Sequence, residues 1–153
     1  MYRTIVHWKD PDSRDGVDLP SHHEVRFMGR ADCSVQVSDT EQDRQHANPQ
    51  ELLLAAFSSS QMLTYISLCA RNGIPIVEYH DSAFIYMDES VLGQPRVERI
   101  VLQPRLSFDT DDTLEMRGRV IRLINEALSL SWLANSLRAR VAIDPTLEFL
   151  RRP

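Results

Sequence analysis

The sequence predicts an α+β domain in which antiparallel sheet surrounds one long buried helix. Three observations lead to this fold class. The first third has short alternating segments, the middle has a long apolar helix, and two long alternating segments with an amphipathic helix follow. The resulting order, βββ-α-ββ-α-β, is typical of α+β proteins. At 153 residues the chain is long enough for one core and short for two, so we expect a single domain over residues 1–153.

The first third of the chain predicts a small antiparallel meander. Residues 2–9 alternate between apolar and polar side chains, and His23 to Met28 and Cys33 to Val37 are two further short strands. Asp10 to Pro20 is rich in Asp and Pro and reads as a loop, and Ser38 to Ala47 is a polar loop before the first helix.

Asn48 begins the long helix. It can cap the first turn, Pro49 suits the first helical position, and Glu51 can reach back to the cap. The helix should run to about Asn72, with Gly73 as its left-handed terminator. Because it is apolar on nearly every side, we expect it to be buried all round. One chain can hardly cover such a helix, which predicts an obligate homodimer.

The second half predicts two long strands, a helix and a last strand. Ile76 to Met87 and Val97 to Phe108 alternate, and Thr113 to about Leu130 has an apolar stripe at helical spacing. A helical turn from Trp132 to Ser136 then leads into a strand from Leu137 to Ile143, which the following proline ends.

Composition excludes several function classes. The formal net charge is −5, which argues against nucleic acid or an anionic membrane as a partner. The start of the chain does not resemble a signal peptide, so we expect a cytoplasmic protein. Two cysteines do not make a disulfide framework, and we expect both Cys33 and Cys69 to be buried as small hydrophobic residues. His22, His23 and Glu24 lack a further ligand at metal-site spacing, and we expect no metal and no cofactor.

Two segments carry a resemblance to a known family. The first reads Asn-Pro-Gln-Glu-Leu-Leu-Leu-Ala-Ala-Phe-Ser-Ser-Ser-Gln-Met-Leu, from Asn48 to Leu63, and the second reads Trp-Leu-Ala-Asn-Ser-Leu, from Trp132 to Leu137. They resemble the Asn-Pro-Glu-Glu-Leu-Leu and Cys-aromatic-x-Ala-Asn-Ser motifs of the OsmC/Ohr family, and the predicted order of elements fits along the whole chain. This resemblance implies an OsmC-like fold in an intertwined homodimer with the long helices at the subunit interface.

The family reduces organic hydroperoxides with a peroxidatic and a resolving cysteine, and the resemblance places Ser60 and Ser131 at these two positions. Gln50 stands where the family has an activating Glu, although Glu51 is beside it. The family also uses an Arg from its N-terminal strands, and the resemblance leaves Arg14 and Arg26 as candidates. The former peroxide pocket would be lined by Phe57, Ser58, Ser59, Gln61, Trp132, Glu51 and Glu126.

Serine cannot perform the family's redox chemistry. A peroxidatic residue must be nucleophilic as a thiolate and must hold oxygen as a sulfenic acid, and serine does neither. We therefore expect a non-peroxidatic dimer that binds a small apolar or weakly polar molecule in a degenerate active site. The alternatives are an active reductase that uses Cys69 or Cys33, and a partner that heterodimerises with a cysteine-bearing paralogue.

The Ser58 to Gln61 segment has its own alternatives. The serine hydroxyls can bond back to the preceding helical turn, or they can mark a polar pocket in the core. Serine hydrolase chemistry at Ser60 would need a His base, and none of the chain's histidines lies in the two motifs.

Overall fold

The computed structural model describes residues 2–7, 23–28, 33–38, 45–90 and 93–151. The chain divides into two compact units, residues 1–53 and 54–153. The whole predicted loop from Asp10 to Pro20, with Arg14, lies outside the described residues, as does His22.

The first unit contains the predicted meander. Strands β1 (Thr4–His7), β2 (His23–Phe27) and β3 (Ser34–Val37) pair antiparallel in the order β1-β2-β3. Ala47, just before the first helix, forms an isolated bridge with Val37. The three short strands confirm the meander, with slightly narrower bounds than the alternation predicts.

Helix α1 (Pro49–Arg71) begins and ends where the sequence predicts. Asn48 Oδ1 accepts from the Glu51 N–H at 2.7 Å, and Glu51 Oε2 accepts from the Asn48 N–H at 2.9 Å, which is a complete capping box. Beyond the last turn, Gly73 has a φ of +64°, a conformation that only glycine adopts at low cost.

Burial of α1 differs from the expectation of burial on all sides. Within one chain its buried side chains are Phe57, Gln61, Tyr65, Leu68 and Cys69. On another side of the helix Leu63 is 62% exposed. The buried positions follow helical spacing because one sheet and one helix of the second unit cover a single face of α1.

α1 is also the one helix in the described part of the chain that is long and apolar enough to cross a membrane, judged by length and composition alone. A core helix of a soluble protein meets the same criteria, so this is weak evidence for a membrane span.

The second unit is built on a four-stranded sheet. β4 (Ile76–Asp88) and β5 (Arg96–Asp111) pair antiparallel, as predicted. β6 (Arg140–Ile143) and β7 (Thr146–Arg151) both pair parallel with β5, so the expectation of antiparallel sheet is wrong for them. The helical crossover after β5 returns the chain to the end of the sheet where β5 begins, which makes the next strand parallel.

The sequence also missed β7. Pro145 ends β6, but the chain stays against β5: the Asp144 N–H donates to Leu102 O at 2.9 Å, and pairing resumes at Thr146 beside Arg105. A proline removes one donor from the ladder without turning an edge strand away.

Helix α2 (Leu114–Leu130) is capped by Thr113, whose hydroxyl accepts from the Met116 N–H at 3.1 Å. Helix α3 (Trp132–Ser136) has the predicted bounds. Two apolar clusters form the core. The larger lies between α1, α2 and the sheet, and the smaller contains Phe57, Ile100, Leu102 and Leu133.

Candidate functional site

The middle of α1 lies against the last turns of α2 and against α3. Phe57 is fully buried in the smaller core cluster with Leu133 of α3. One turn further along, Gln61 Nε2 donates to Ile124 O of α2 at 3.3 Å. These contacts bring together the two motifs of the family resemblance, which are far apart in the sequence.

Ser131 has a structural task at the junction of α2 and α3. It is buried, its hydroxyl accepts from the Ala134 N–H at 3.3 Å, and its own N–H donates to Leu128 O at 3.1 Å. It therefore closes α2 and caps α3. Ser60 is half-buried, and its carbonyl accepts from the Thr64 hydroxyl at 2.9 Å.

Gln61 carries an unsatisfied buried group. The residue is 2% exposed, and Oε1 is the one buried side-chain oxygen or nitrogen in the described part of the chain without a hydrogen-bond partner. An amide oxygen only accepts hydrogen bonds, so a hydroxyl, an amide N–H or a water would satisfy it. Buried polar atoms are rarely left in this state.

Ser58 forms a second polar contact that sequence reasoning missed. Its hydroxyl donates to Asp81 Oδ2 at 2.5 Å, and Asp81 Oδ1 accepts from the Gln103 N–H at 2.9 Å. The Ser58 hydroxyl therefore bonds to β4. It does not bond back to the preceding turn of α1, which was one of the two alternatives predicted for the Ser58 to Gln61 segment. The sequence carried one signal for this contact: the alternation of β4 places the charged Asp81 on the same inward face as Tyr79 and Ala83.

Other predicted site residues lie on the surface of the chain. Trp132 is 67% exposed, and Ser59 and Glu126 are exposed as well. Gln50 and Glu51 are exposed in the first turn of α1, where the Glu51 carboxylate is engaged in the capping box. Within the second unit, Ser59, Glu126 and Trp132 therefore face solvent and do not join Phe57, Gln61 and Ser131 in the core.

No protein-family model and no curated protein matches this sequence. Solved structures do match. An OsmC-like protein of unknown function from Vibrio cholerae has a TM-score of 0.84 at 22% identity, covering 95% of this chain and 99% of that one. An OsmC-like protein from Mycoplasma pneumoniae has a TM-score of 0.76 at 10% identity, covering 97% of each chain. The organic hydroperoxide resistance protein OhrB of Bacillus subtilis has a TM-score of 0.63 at 12% identity, covering 95% and 98%.

The chain has the OsmC-like fold. The fold predicted from the two motifs and the order of elements is thereby confirmed, with a mixed rather than purely antiparallel sheet in the second unit. At these identities the likeness concerns the fold, and the roles of individual residues stay predictions.

The two thiols of this OsmC-like chain have different surroundings. Cys69 is fully buried in the larger core cluster, and burial raises the pKa of its thiol. A raised pKa means less thiolate, which is the reactive form. Cys33 is exposed beside β3 in the first unit. Sequence reasoning expected both to be buried, which is correct for Cys69 and wrong for Cys33.

Arg26, one of the two candidates for the family's N-terminal arginine, forms an ion pair on its own strand. Its Nε lies 2.6 Å from Glu24 Oε2, and the hydrogen bond from Arg26 lowers the pKa of the Glu24 carboxyl. Arg14 lies outside the described residues, so the choice between the two stays a prediction. The described residues include no group of three His, Cys, Asp or Glu placed to hold a metal ion.

Proposed function

We propose that this chain is a divergent OsmC/Ohr-family protein: a single-domain cytoplasmic homodimer that binds a small apolar or weakly polar molecule and does not reduce hydroperoxides. The observation that carries the proposal is serine at positions 60 and 131, where the resemblance puts the two redox cysteines. A serine hydroxyl is not ionised near neutral pH and cannot be oxidised reversibly as sulfur can.

The surroundings of these serines support a loss of redox function. The Ser131 hydroxyl caps α3. Gln50, at the position of the family's Glu, cannot accept a proton. At the positions that the resemblance assigns to the two cysteines and the Glu, this chain has groups that can neither form nor activate a thiolate.

Reductase activity through another thiol is the weaker alternative. Cys69 is fully buried, and burial raises its pKa, so it is a poor nucleophile. Cys33 is exposed, but Cys69 is buried in a core cluster and is not accessible as a resolving cysteine.

Homodimerisation is supported by a stripe along α1 that one chain leaves open. The outward stripe consists of Ala56, Ser59, Leu63, Ile66 and Ala70, all of them exposed. Their alternating spacing of three and four residues is that of a helix–helix seam, and the small residues allow close approach of a second helix. A second copy of this chain presents the same stripe and would cover it around a two-fold axis.

The enzymatic part of the proposal is tested with cumene hydroperoxide and a dithiol reductant. We expect no turnover above a protein-free control and no fall in thiol count, because neither serine can react. The matched variants are Cys69→Ala and Cys33→Ala. Turnover that disappears in either variant would show that the reaction uses another thiol, and the proposal would be wrong.

The dimer is tested by sedimentation of the wild type and two variants. Leu63→Glu places a charge in the outward stripe and should give a monomer. Leu114→Glu makes the same change at a leucine that is 90% exposed but lies outside the stripe, and should remain a dimer. A folded wild-type monomer at micromolar concentration would contradict the proposal.

Ligand binding is tested by native mass spectrometry of the purified protein and by a high-resolution crystal structure. We expect an added mass on the protein and density beside Ser60 and Gln61, because the unpaired Gln61 Oε1 needs a hydrogen-bond donor. An empty, dry site in both experiments would count against a bound molecule.

A further inference from the structure

A cavity of about 700 Å³ lies at the end of the β4–β5 pair beside the start of β6. Its size is within the ~300–1,000 Å³ that is usual for small-molecule sites. It is lined by Asp88, Arg96, Val97, Glu98, Leu137, Arg138, Ala139 and Arg140. Three of these eight residues are arginines, and they lie beside the aliphatic side chains of the lining.

The two acids of the lining are each engaged by an arginine. Arg96 Nε and Nη2 donate to Asp88 Oδ2 at 3.0 and 2.8 Å, and Arg140 Nη2 donates to Glu98 Oε1 at 2.5 Å. The Ser90 hydroxyl and N–H, together with Arg96, lower the pKa of Asp88 to about 2, so this carboxylate is charged at any physiological pH.

Arg138 is the one arginine of the cavity lining that no carboxylate of the lining engages. No hydrogen bond or ion pair joins it to another residue in the described ranges, and it lies in the link between α3 and β6. Since three arginines face two acids, the lining has one excess positive charge. A guanidinium also has five N–H donors, so Arg96 and Arg140 keep donors that their carboxylate partners do not use.

A further arginine, Arg99, adds positive charge at the end of the β4–β5 pair where the cavity lies. Arg99 of β5 pairs directly with Arg140 of β6, and its guanidinium lies 4.2 Å from the centre of the Tyr86 ring. Like charges on directly opposed strand positions destabilise a sheet. The chain is acidic overall, with a formal net charge of −5, and a bound anion at this end of the sheet would relieve the local repulsion between arginines.

We propose that this cavity binds a small organic oxyanion, a carboxylate or phosphate attached to a short apolar group. The guanidinium of Arg138 binds the oxyanion through paired N–H donors, as is usual for arginine with carboxylate or phosphate. Val97, Leu137 and Ala139 contact the apolar part. The arginines of this cavity do not belong to the candidate site around Ser60, although Val97 and Leu137 also pack against the smaller core cluster.

The experiment is calorimetric titration of the wild type at low ionic strength with hexanoate, hexyl phosphate and hexanol. We expect saturable binding of at least one oxyanion, with the tighter one identifying the head group, and weaker binding of hexanol, which lacks the charged group that Arg138 binds. Added salt should weaken binding, because the cations are exposed to solvent. If neither oxyanion binds saturably, or if hexanol binds as well as they do, the proposal is wrong.

Two variants with the same change in net charge locate the site. Arg138→Gln should raise the dissociation constant about tenfold, the loss expected for a charge-assisted hydrogen bond. Arg105→Gln removes an equally exposed arginine further along β5, outside the cavity, and should change it less than about twofold. Equal losses in the two variants would show a general effect of net charge and would overturn the assignment. Circular dichroism of both variants checks that they are folded.

Discussion

Gln61 is the residue whose replacement probes the interior of the candidate site most directly. Its side chain is 2% exposed, its Oε1 has no partner among the described residues, and its Nε2 makes one long hydrogen bond of 3.3 Å to Ile124 O. The Ile124 carbonyl lies inside α2 and already serves as a helical acceptor. Removing the amide therefore leaves no new group unpaired.

The variant Gln61→Met tests this reading. Methionine has nearly the volume and the helix propensity of glutamine, so packing and local propensity change little. An unsatisfied buried polar atom costs about 1–3 kcal/mol, and the long hydrogen bond offsets part of that when it is lost. We expect the free energy of unfolding to rise by about 1–2 kcal/mol, a gain of about 2–8 °C in Tm for a chain of this length.

The assay is urea unfolding followed by circular dichroism at one fixed protein concentration, because the stability of a dimer depends on concentration. Gln50→Met is the control, since Gln50 is exposed on the same helix, and it should change the unfolding free energy by less than about 0.5 kcal/mol. The comparison is made on protein freed of bound small molecules, because a ligand on Oε1, as proposed above, would add a hydrogen bond that Gln61→Met removes. If the ligand-free variant still lost more than about 1 kcal/mol, a water would already satisfy Oε1 and the reasoning would be refuted.

Three further predictions follow from local geometry. Gly118→Ala, in an exposed part of α2 with nothing near the added Cβ, should stabilise the protein by about 0.5–1 kcal/mol. Gly73→Ala, at φ +64°, should destabilise it by about 1–2 kcal/mol. Urea unfolding measures both free energies, and a change in the same direction in the two variants would contradict the prediction. Iodoacetamide should modify Cys69 only after unfolding, as mass spectrometry can show, and rapid native labelling would mean that the core opens there. Ser60→Cys/Ser131→Cys, with both native cysteines replaced by alanine, should form a disulfide under mild oxidation, which requires Cα atoms about 4.4–6.8 Å apart; two thiols that stay free in a folded protein would refute the mapping of these serines.

Local sequence signals predicted the helices most closely. The Asn48–Glu51 capping box, the Gly73 terminator and the bounds of α3 are all as predicted, because each depends on a few neighbouring residues. The prediction that failed was the direction of the last strand and its continuation past Pro145, since strand pairing is decided by residues far away in the sequence.

The candidate site shows the same division. The two motifs named Ser60, Gln61 and Ser131 without any structure, but only the fold shows that Gln61 reaches α2 and that the Ser131 hydroxyl caps α3. The alternation of β4 places Asp81 on the inward face of the strand, but only tertiary structure shows that its partner is Ser58.

The sequence by itself determined the two motifs, the serines at positions 60 and 131 and the order of the elements up to β6, because these are properties of residue identity and of short-range periodicity. Tertiary structure decided which face of α1 is buried, which polar atom is left without a partner, and where four arginines gather on an acidic chain. Burial, hydrogen bonding and charge density depend on distances between segments that are remote in the chain, and composition does not contain those distances.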